Sequence, residues 1–246
     1  MCTLSFVPTT NGFYAAMNRD ELITREFVLP PRLAAVEQTR VIYPQEQTGG
    51  TWIAANEYGI TFALLNWNLA GTFQKRRSRG SIIPQLIGQG SLFVTVDKLK
   101  NIPLEGILPF HLIGICSLQK LVYEWRWDAV SLGQIQFDWE PHHWFSSGLS
   151  DNQAENERGK ICSAAWSDPV AGTLPWLRKL HRSHSSAPGP FSICVHRSDA
   201  KTVSYTEIDY SLDHLKFRYI AGQPCDHGHA LSLQLPLNAP RNLVVA

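Results

Sequence analysis

Met1-Cys2-Thr3-Leu4-Ser5-Phe6-Val7-Pro8, then Thr9-Thr10-Asn11-Gly12, then Phe13-Tyr14-Ala15-Ala16-Met17-Asn18-Arg19-Asp20-Glu21: two apolar runs flank a four-residue turn and lead into a charged cluster. Asn-Gly between such runs is a strong hairpin signal. With Pro8 facing Phe13, an antiparallel register sets Cys2 opposite Arg19, within a residue or two. The thiol and nitrogen of Cys2 then lie beside Asn18, Arg19 and the carboxylates of Asp20 and Glu21. Taken without further context, Cys2 reads first as a small hydrophobe on an edge strand, and Asn18 to Glu21 as a solvated exit from it.

If Met1 is removed, the arrangement permits a specific chemistry. A free α-amino group titrates near ~7.7–8.0, so it can take the proton of the Cys2 thiol and return it to a leaving amine. A neighbouring carboxylate would hold the amine. Arg19 could lower the thiol pKa or hold a substrate carboxylate.

Outward from this hairpin, apolar runs bounded by Gly, Pro and Asn read as strands at Thr51 to Ala55, Ile60 to Leu65, Ile107 to Cys116, Leu121 to Trp127 and Gln134 to Trp139. Two stretches read as helices, Asn152 to Trp166 and Thr173 to His184, the second carrying Leu174, Leu177 and Leu180 at helical spacing. Strands are expected again at Phe191 to His196, Thr202 to Tyr210, Leu215 to Ile220 and Ala230 to Leu235. Strands, helices and strands in that order predict an α+β fold with segregated helices. A turn at Asn56 to Gly59 places Asn66 opposite Gly49, and Gly49-Gly50 would let a substrate approach the backbone.

The 246 residues can bury one large core, and a single domain spanning 1–246 is expected. Apolar residues at 44% with eight Trp exclude a disordered chain, while 22 Lys and Arg against 21 Asp and Glu give no global reason to bind nucleic acid or an anionic membrane. The first residues lack a basic signal region, and no apolar run reaches the ~18 residues of a membrane helix, so a cytoplasmic location is the expectation. Five scattered cysteines fit reduced thiols better than a disulfide framework. Oligomeric state leaves no mark on the sequence.

Met1-Cys2, Asn18-Arg19-Asp20-Glu21, Gly49-Gly50-Thr51-Trp52 and Asn56-Glu57-Tyr58-Gly59 together resemble the NRDE family, which is similar to the Transport and Golgi organisation protein 2 family. More distantly, Met1-Cys2-Thr3 and Asn18-Arg19-Asp20 resemble the choloylglycine hydrolases and penicillin V acylases, which are N-terminal-nucleophile enzymes. That resemblance implies a four-layer αββα sandwich of two antiparallel sheets, with Cys2 as nucleophile of an amidohydrolase or acylase and Asp20 at its amine. It also implies a small-molecule amide or acyl substrate and no cofactor; an acyltransferase would use the same nucleophile. The segment from Asn56 to Asn66 resembles the hydrolase block whose closing Asn helps form the oxyanion hole, which points to Asn66.

Three departures accompany this match. Met17 stands where those enzymes carry Arg, Phe145-Ser146-Ser147-Gly148-Leu149 supplies no second Asn, and Arg158 is a loosely placed counterpart of their helical Arg that reads first as an exposed helical residue. Asn18, Arg19, Glu21, Gly49, Gly50 and Arg158 therefore stand as weaker candidates for substrate binding. The Golgi-organisation relatives imply a different class of function, a carrier or trafficking protein for haem or lipid.

Lys75-Arg76-Arg77-Ser78-Arg79-Gly80 is a basic loop that could flank the pocket and attract an anionic substrate group. Cys225, His227 and His229 alternate onto one strand face without a clear fourth ligand, and no metal site is expected. His142-His143 and His181 to His184 show no metalloprotease spacing, and no phosphate-binding glycine loop is present.

Overall fold

The computed structural model describes residues 1–25, 28–71, 73, 77–184, 187–211, 213–226 and 228–238. Its strands in chain order are β1 (Cys2–Thr9), β2 (Gly12–Leu22), β3 (Val28–Val36), β4 (Thr39–Glu46), β5 (Ile53–Asn56), β6 (Ile60–Asn66), β7 (Phe110–Cys116), β8 (Leu121–Trp127), β9 (Leu132–Phe137), β10 (His142–Ser146), β11 (Ala200–Tyr210), β12 (His214–Ala221) and β13 (Ala230–Pro236). The helices are α1 (Ile82–Leu86), α2 (Leu92–Lys100), α3 (Asp151–Ala165) and α4 (Leu174–His181). One antiparallel sheet runs β10-β1-β2-β11-β12-β13 and the other β3-β4-β5-β6-β7-β8-β9.

Side-chain alternation divides the core into three. Leu4, Phe6, Phe13, Ala15 and Met17 of the first sheet pack against Ile53, Ala55, Ala63 and Leu65 of the second. On the outer face of the first sheet, Val7, Ala16 and Tyr205 meet Cys162 of α3 and Trp176, Leu177 and Leu180 of α4. On the outer face of the second, Phe62, Leu64 and Leu112 meet α1 and α2. The expected α+β arrangement, helices outside two facing antiparallel sheets, is therefore present.

The opening hairpin has the expected register, with Thr9 facing Gly12 and Cys2 facing Arg19. Other expectations need correction. Cys2 is not on an edge: His142–Ser146, unassigned from sequence, forms β10 and pairs with β1 on its far side, setting Ser146 opposite Cys2. The β5–β6 register is one residue away from the expected one, Ala54 facing Phe62, and Asn66 pairs instead with Phe110 of β7. Phe191 to His196 is not a strand; apart from one bridge to β11, His196 to Lys201 with Thr202 N–H donating to Val195 O, its backbone groups bond to side chains and to loop backbone. Helices α1 and α2 and the β3–β4 pair had no counterpart in the sequence reading.

Candidate active site

Pleating splits the Asn18-Arg19-Asp20-Glu21 cluster between two faces of one strand. Arg19 points the same way as the Cys2 side chain, into a cleft of about 60 Å³ also lined by Met1, Glu21, Trp52, Asn66 and Arg79. Arg19 is buried, bonds Glu46 at 3.0 Å and Glu21 at 3.3 Å, and lies 4.2 Å above the Trp52 ring. The buried Trp52 Nε1 has no hydrogen-bond partner among the described residues. The basic-loop expectation holds for its second half: Arg77, Ser78, Arg79 and Gly80 line the cleft, whereas Lys75 and Arg76 lie outside the described residues.

On the opposite face, beneath the helices, Asn18 and Asp20 are fully buried. Asn18 donates to the carbonyls of His181 (2.9 Å) and Ile193 (2.8 Å), which makes it an anchor for the loop after α4 and removes it from substrate contact. Asp20 accepts from Thr202 Oγ1 at 2.7 Å and, at 3.5 Å, from Arg158. Its backbone N–H donates to the Met1 carbonyl at 2.8 Å, so the carboxyl-bearing residue is tied to the peptide that precedes Cys2. Arg158 is 1% exposed and not a surface helical residue: its guanidinium also donates to Thr3 Oγ1 at 2.9 Å and to the Cys2 and Ser146 carbonyls at 3.3 and 3.4 Å. It positions the strand carrying Cys2 from behind. The Cys2 N–H itself donates to Ser146 Oγ at 2.9 Å.

Burial pushes the Cys2 thiol up, opposed by the terminal ammonium and by Arg19 and reinforced by Asp20. Burial also raises the Asp20 carboxyl, more than Arg158, Thr202 and the terminal ammonium pull it back. Arg79 is held below its usual range by burial, with Glu21 opposing.

The glycine pair has a different use from the expected one. Gly49 occupies a turn at φ +88°, and a Cβ on Gly50 would come within 3.1 Å of the Gly80 backbone. What approaches closely is therefore the loop at Gly80, held by Thr51 N–H donating to Gly80 O at 3.0 Å. Asn56 is likewise structural: its amide donates to Ile87 O and Gln89 O, and its oxygen accepts from the N–H groups of Tyr58 and Ile60. Ser146 and Thr202 were missed from sequence because each meets the site through pairing with a remote strand. Neither has a local signal.

A family profile described as Transport and Golgi organisation 2 matches residues 1–124, which contain the whole hairpin and the strand ending at Asn66. The chain belongs to the Transport and Golgi organisation 2 family. No functionally curated protein sequence matches it. Among solved structures, this member of the family is similar to the C2A mutant of conjugated bile acid hydrolase from Clostridium perfringens (9% identity, 97% of each chain, TM-score 0.56). It is also similar to the Caenorhabditis elegans ortholog of N-acylethanolamine-hydrolyzing acid amidase (10% identity, 84% of this chain and 92% of that one, TM-score 0.60). A third likeness is to penicillin V acylase from Agrobacterium tumefaciens (12% identity, 96% and 86%, TM-score 0.50). At such identities the likeness establishes the N-terminal-nucleophile hydrolase fold.

Proposed function

We propose that this protein is an N-terminal-nucleophile amidohydrolase whose nucleophile is Cys2, acting on a small amide or related acyl substrate once Met1 has been removed. The observation that carries this reading is the division of labour across β1 and β2. Cys2, Arg19 and Asn66 share a cleft, while Ser146 accepts from the Cys2 nitrogen and Asp20 is buried close by.

Because burial raises the thiol pKa, attack needs a base. In the processed chain the α-amine takes the thiol proton, with Ser146 and Asp20 orienting it. The thiolate adds to the carbonyl, and the Asn66 amide and the Trp52 indole N–H stabilise the oxyanion. Collapse breaks the C–N bond, the leaving amine takes the proton from the α-ammonium, and water then hydrolyses the thioester. An acyltransferase would differ only in the final acceptor. Met1 itself lines the cleft, so its removal enlarges a space that is otherwise far smaller than a typical ligand site. An adjoining cleft of about 320 Å³, lined by Leu22, Ile23, Val28, Pro30 and Tyr219 and sharing Arg19 and Glu21, suits an apolar arm of the substrate.

The apolar cleft also favours a second reading, a carrier of lipid or haem. Among the described residues neither cleft is lined by histidine, so a haem bound there would need Cys2, Met1 or Tyr219 as its protein ligand. The readings separate on native protein. Intact mass should show Met1 absent, and an electrophilic acyl probe should label Cys2, with labelling lost in Cys2→Ala. Asn66→Ala should lower the acylation rate by about 10²–10³-fold with little change in probe affinity. Retained Met1, or stoichiometric lipid or haem binding without Cys2 acylation, overturns the enzyme reading.

A further inference from the structure

Away from the cleft, four side chains converge where the loop after α4 meets the short turn at Pro224–Asp226. They are His184, Cys194, His196 and Cys225, and one ligand atom from each lies within 4.8 Å of all the others. The two sulfurs are 3.6 Å apart, the two imidazole Nε2 atoms 2.9 Å, and His196 Nε2 is 3.5 Å from Cys225 Sγ and 3.9 Å from Cys194 Sγ. Bonds of about 2.3 Å to sulfur and about 2.0–2.1 Å to nitrogen give a regular tetrahedron with edges of about 3.8 Å (S to S), 3.3 Å (N to N) and 3.5 Å (S to N). The four observed edges match within about half an ångström, and the two from His184 to the sulfurs, within 4.8 Å, would close by about an ångström or less on binding. From sequence, Cys225 was grouped with His227 and His229 and lacked a fourth ligand; His227 lies outside the described residues, and the fold supplies a different set.

We infer that His184, Cys194, His196 and Cys225 form a structural zinc site. Two thiolates and two neutral imidazoles are a borderline-soft, four-coordinate donor set, which selects zinc over calcium or magnesium. Binding releases the two thiol protons to solvent and leaves a centre of zero net charge, which suits a partly buried site. Protein fills all four positions, so the ion has no vacancy for a substrate. Backbone contacts hold the ligands, Cys194 N–H donating to Ser183 O and His196 N–H to Gly189 O, while the Gln223 amide, on Val195 O at 3.1 Å, also lies 2.9 Å from His196 Nε2, a contact the ion would replace.

The location gives the ion something to hold. The described residues between Ser183 and Arg197 form no helix or named strand, yet they supply Ile193 O to Asn18, Pro190 O to Arg158 and Val195 N–H to Thr202, whose hydroxyl bonds Asp20. Zinc would fasten that loop to the turn at Cys225, and through it the buried partners behind Cys2.

The test is metal analysis of the full chain purified without added chelator. About one zinc per chain is expected, falling at least about tenfold in Cys194→Ser and in Cys225→Ser and unchanged in Cys2→Ala. Cobalt(II) added to stripped wild-type protein should give the visible bands and thiolate charge transfer of a tetrahedral site, so the result does not depend on whether the variants fold. Folded wild-type protein that takes up neither zinc nor cobalt overturns the inference. So does a mass lower by two hydrogens with Cys194 and Cys225 in one disulfide-linked peptide. Zinc retained while Cys2 resists acylation would refute the enzyme reading alone.

Discussion

Asp20 is a carboxyl whose surroundings oppose its charge. Burial raises it more than one Arg158 contact at 3.5 Å, a threonine hydroxyl and the terminal ammonium together lower it. The fold therefore opposes ionisation of Asp20; the opposition is complete above its raised folded pKa and is relieved as pH falls below that value toward the ordinary carboxylate range. A closer cation would relieve it, and a Cys2 ammonium, replacing that of Met1, would be one. Arg158 depends on Asp20 in turn. Arg158→Met leaves the buried Asp20 carboxyl with no side-chain cation among the described residues and should cost about 3–5 kcal/mol in urea unfolding. Asp20→Asn combined with Arg158→Met should cost less than the sum of the two singles, and strict additivity would mean that the pair is not coupled. Arg158 had no decisive sequence signal, since a helix bearing Glu155, Asn156 and Glu157 beside it reads as solvated; its burial comes from packing α3 over β1, which no local pattern reports.

At the scale of elements, β1, β2, β10 and α4 are joined by a buried proton chain. The Asn18 amide nitrogen serves two carbonyls, so its oxygen accepts from His181 Nδ1–H; His181 Nε2 then accepts from the Ser5 hydroxyl, and Ser5 Oγ accepts from His143 Nδ1–H. Both imidazoles are neutral in this chain. Burial holds His143 down to about 4 and His181 to about 3, each further lowered by a neighbouring histidine. Unfolded, both titrate near 6.5, so below that pH the unfolded chain binds more protons and stability must fall. The contribution is complete above 6.5 and is lost as pH drops toward 4 and then 3. Once both unfolded histidines are charged, the slope approaches roughly 1.4 kcal/mol per histidine per pH unit. His143→Gln should flatten the slope, and an unchanged profile would mean that these groups do not titrate as described.

The same elements explain what could be read in advance. The hairpin was legible to the residue because an Asn-Gly turn and two apolar runs fix its register locally. β3 was not, because Pro30 and Pro31 argue against a strand; they are tolerated at an edge, in the register irregularity between Leu29 and Arg32. Asn66 lines the cleft with Cys2 although the expected β5 register was off by one, since the strand it ends on is held by β7. Gly59, at φ +74° with the Tyr210 ring where a Cβ would stand, keeps the Asn56 turn tight and accounts for that block as scaffold.

For the whole molecule, the decisive circumstance is that β1 lies inside its sheet. Its neighbour β2 follows at once, but β10 is more than 130 residues further along, and Met1 rests with its side chain against Gly148 and its carbonyl on Asp20 N–H. An amino-terminal fusion would have to leave through the cleft. It should abolish Cys2 acylation even where expression and folding persist, whereas cleaving the fusion to expose Cys2 should restore labelling; undiminished labelling with the fusion attached would contradict the mechanism.

The central position of β1 also sets a schedule during synthesis. An aminopeptidase needs a loose, extended end, and on the proposed mechanism Met1 would be loosest before β10 has emerged from the ribosome and paired with β1 at Cys2. Excision therefore competes with folding. Slowing the passage from β2 to β10 should raise the processed fraction, and a chain refolded with Met1 still attached should be a poor substrate for the peptidase. Competence would be decided in the interval before the sheet closes, by the order in which two strands arrive.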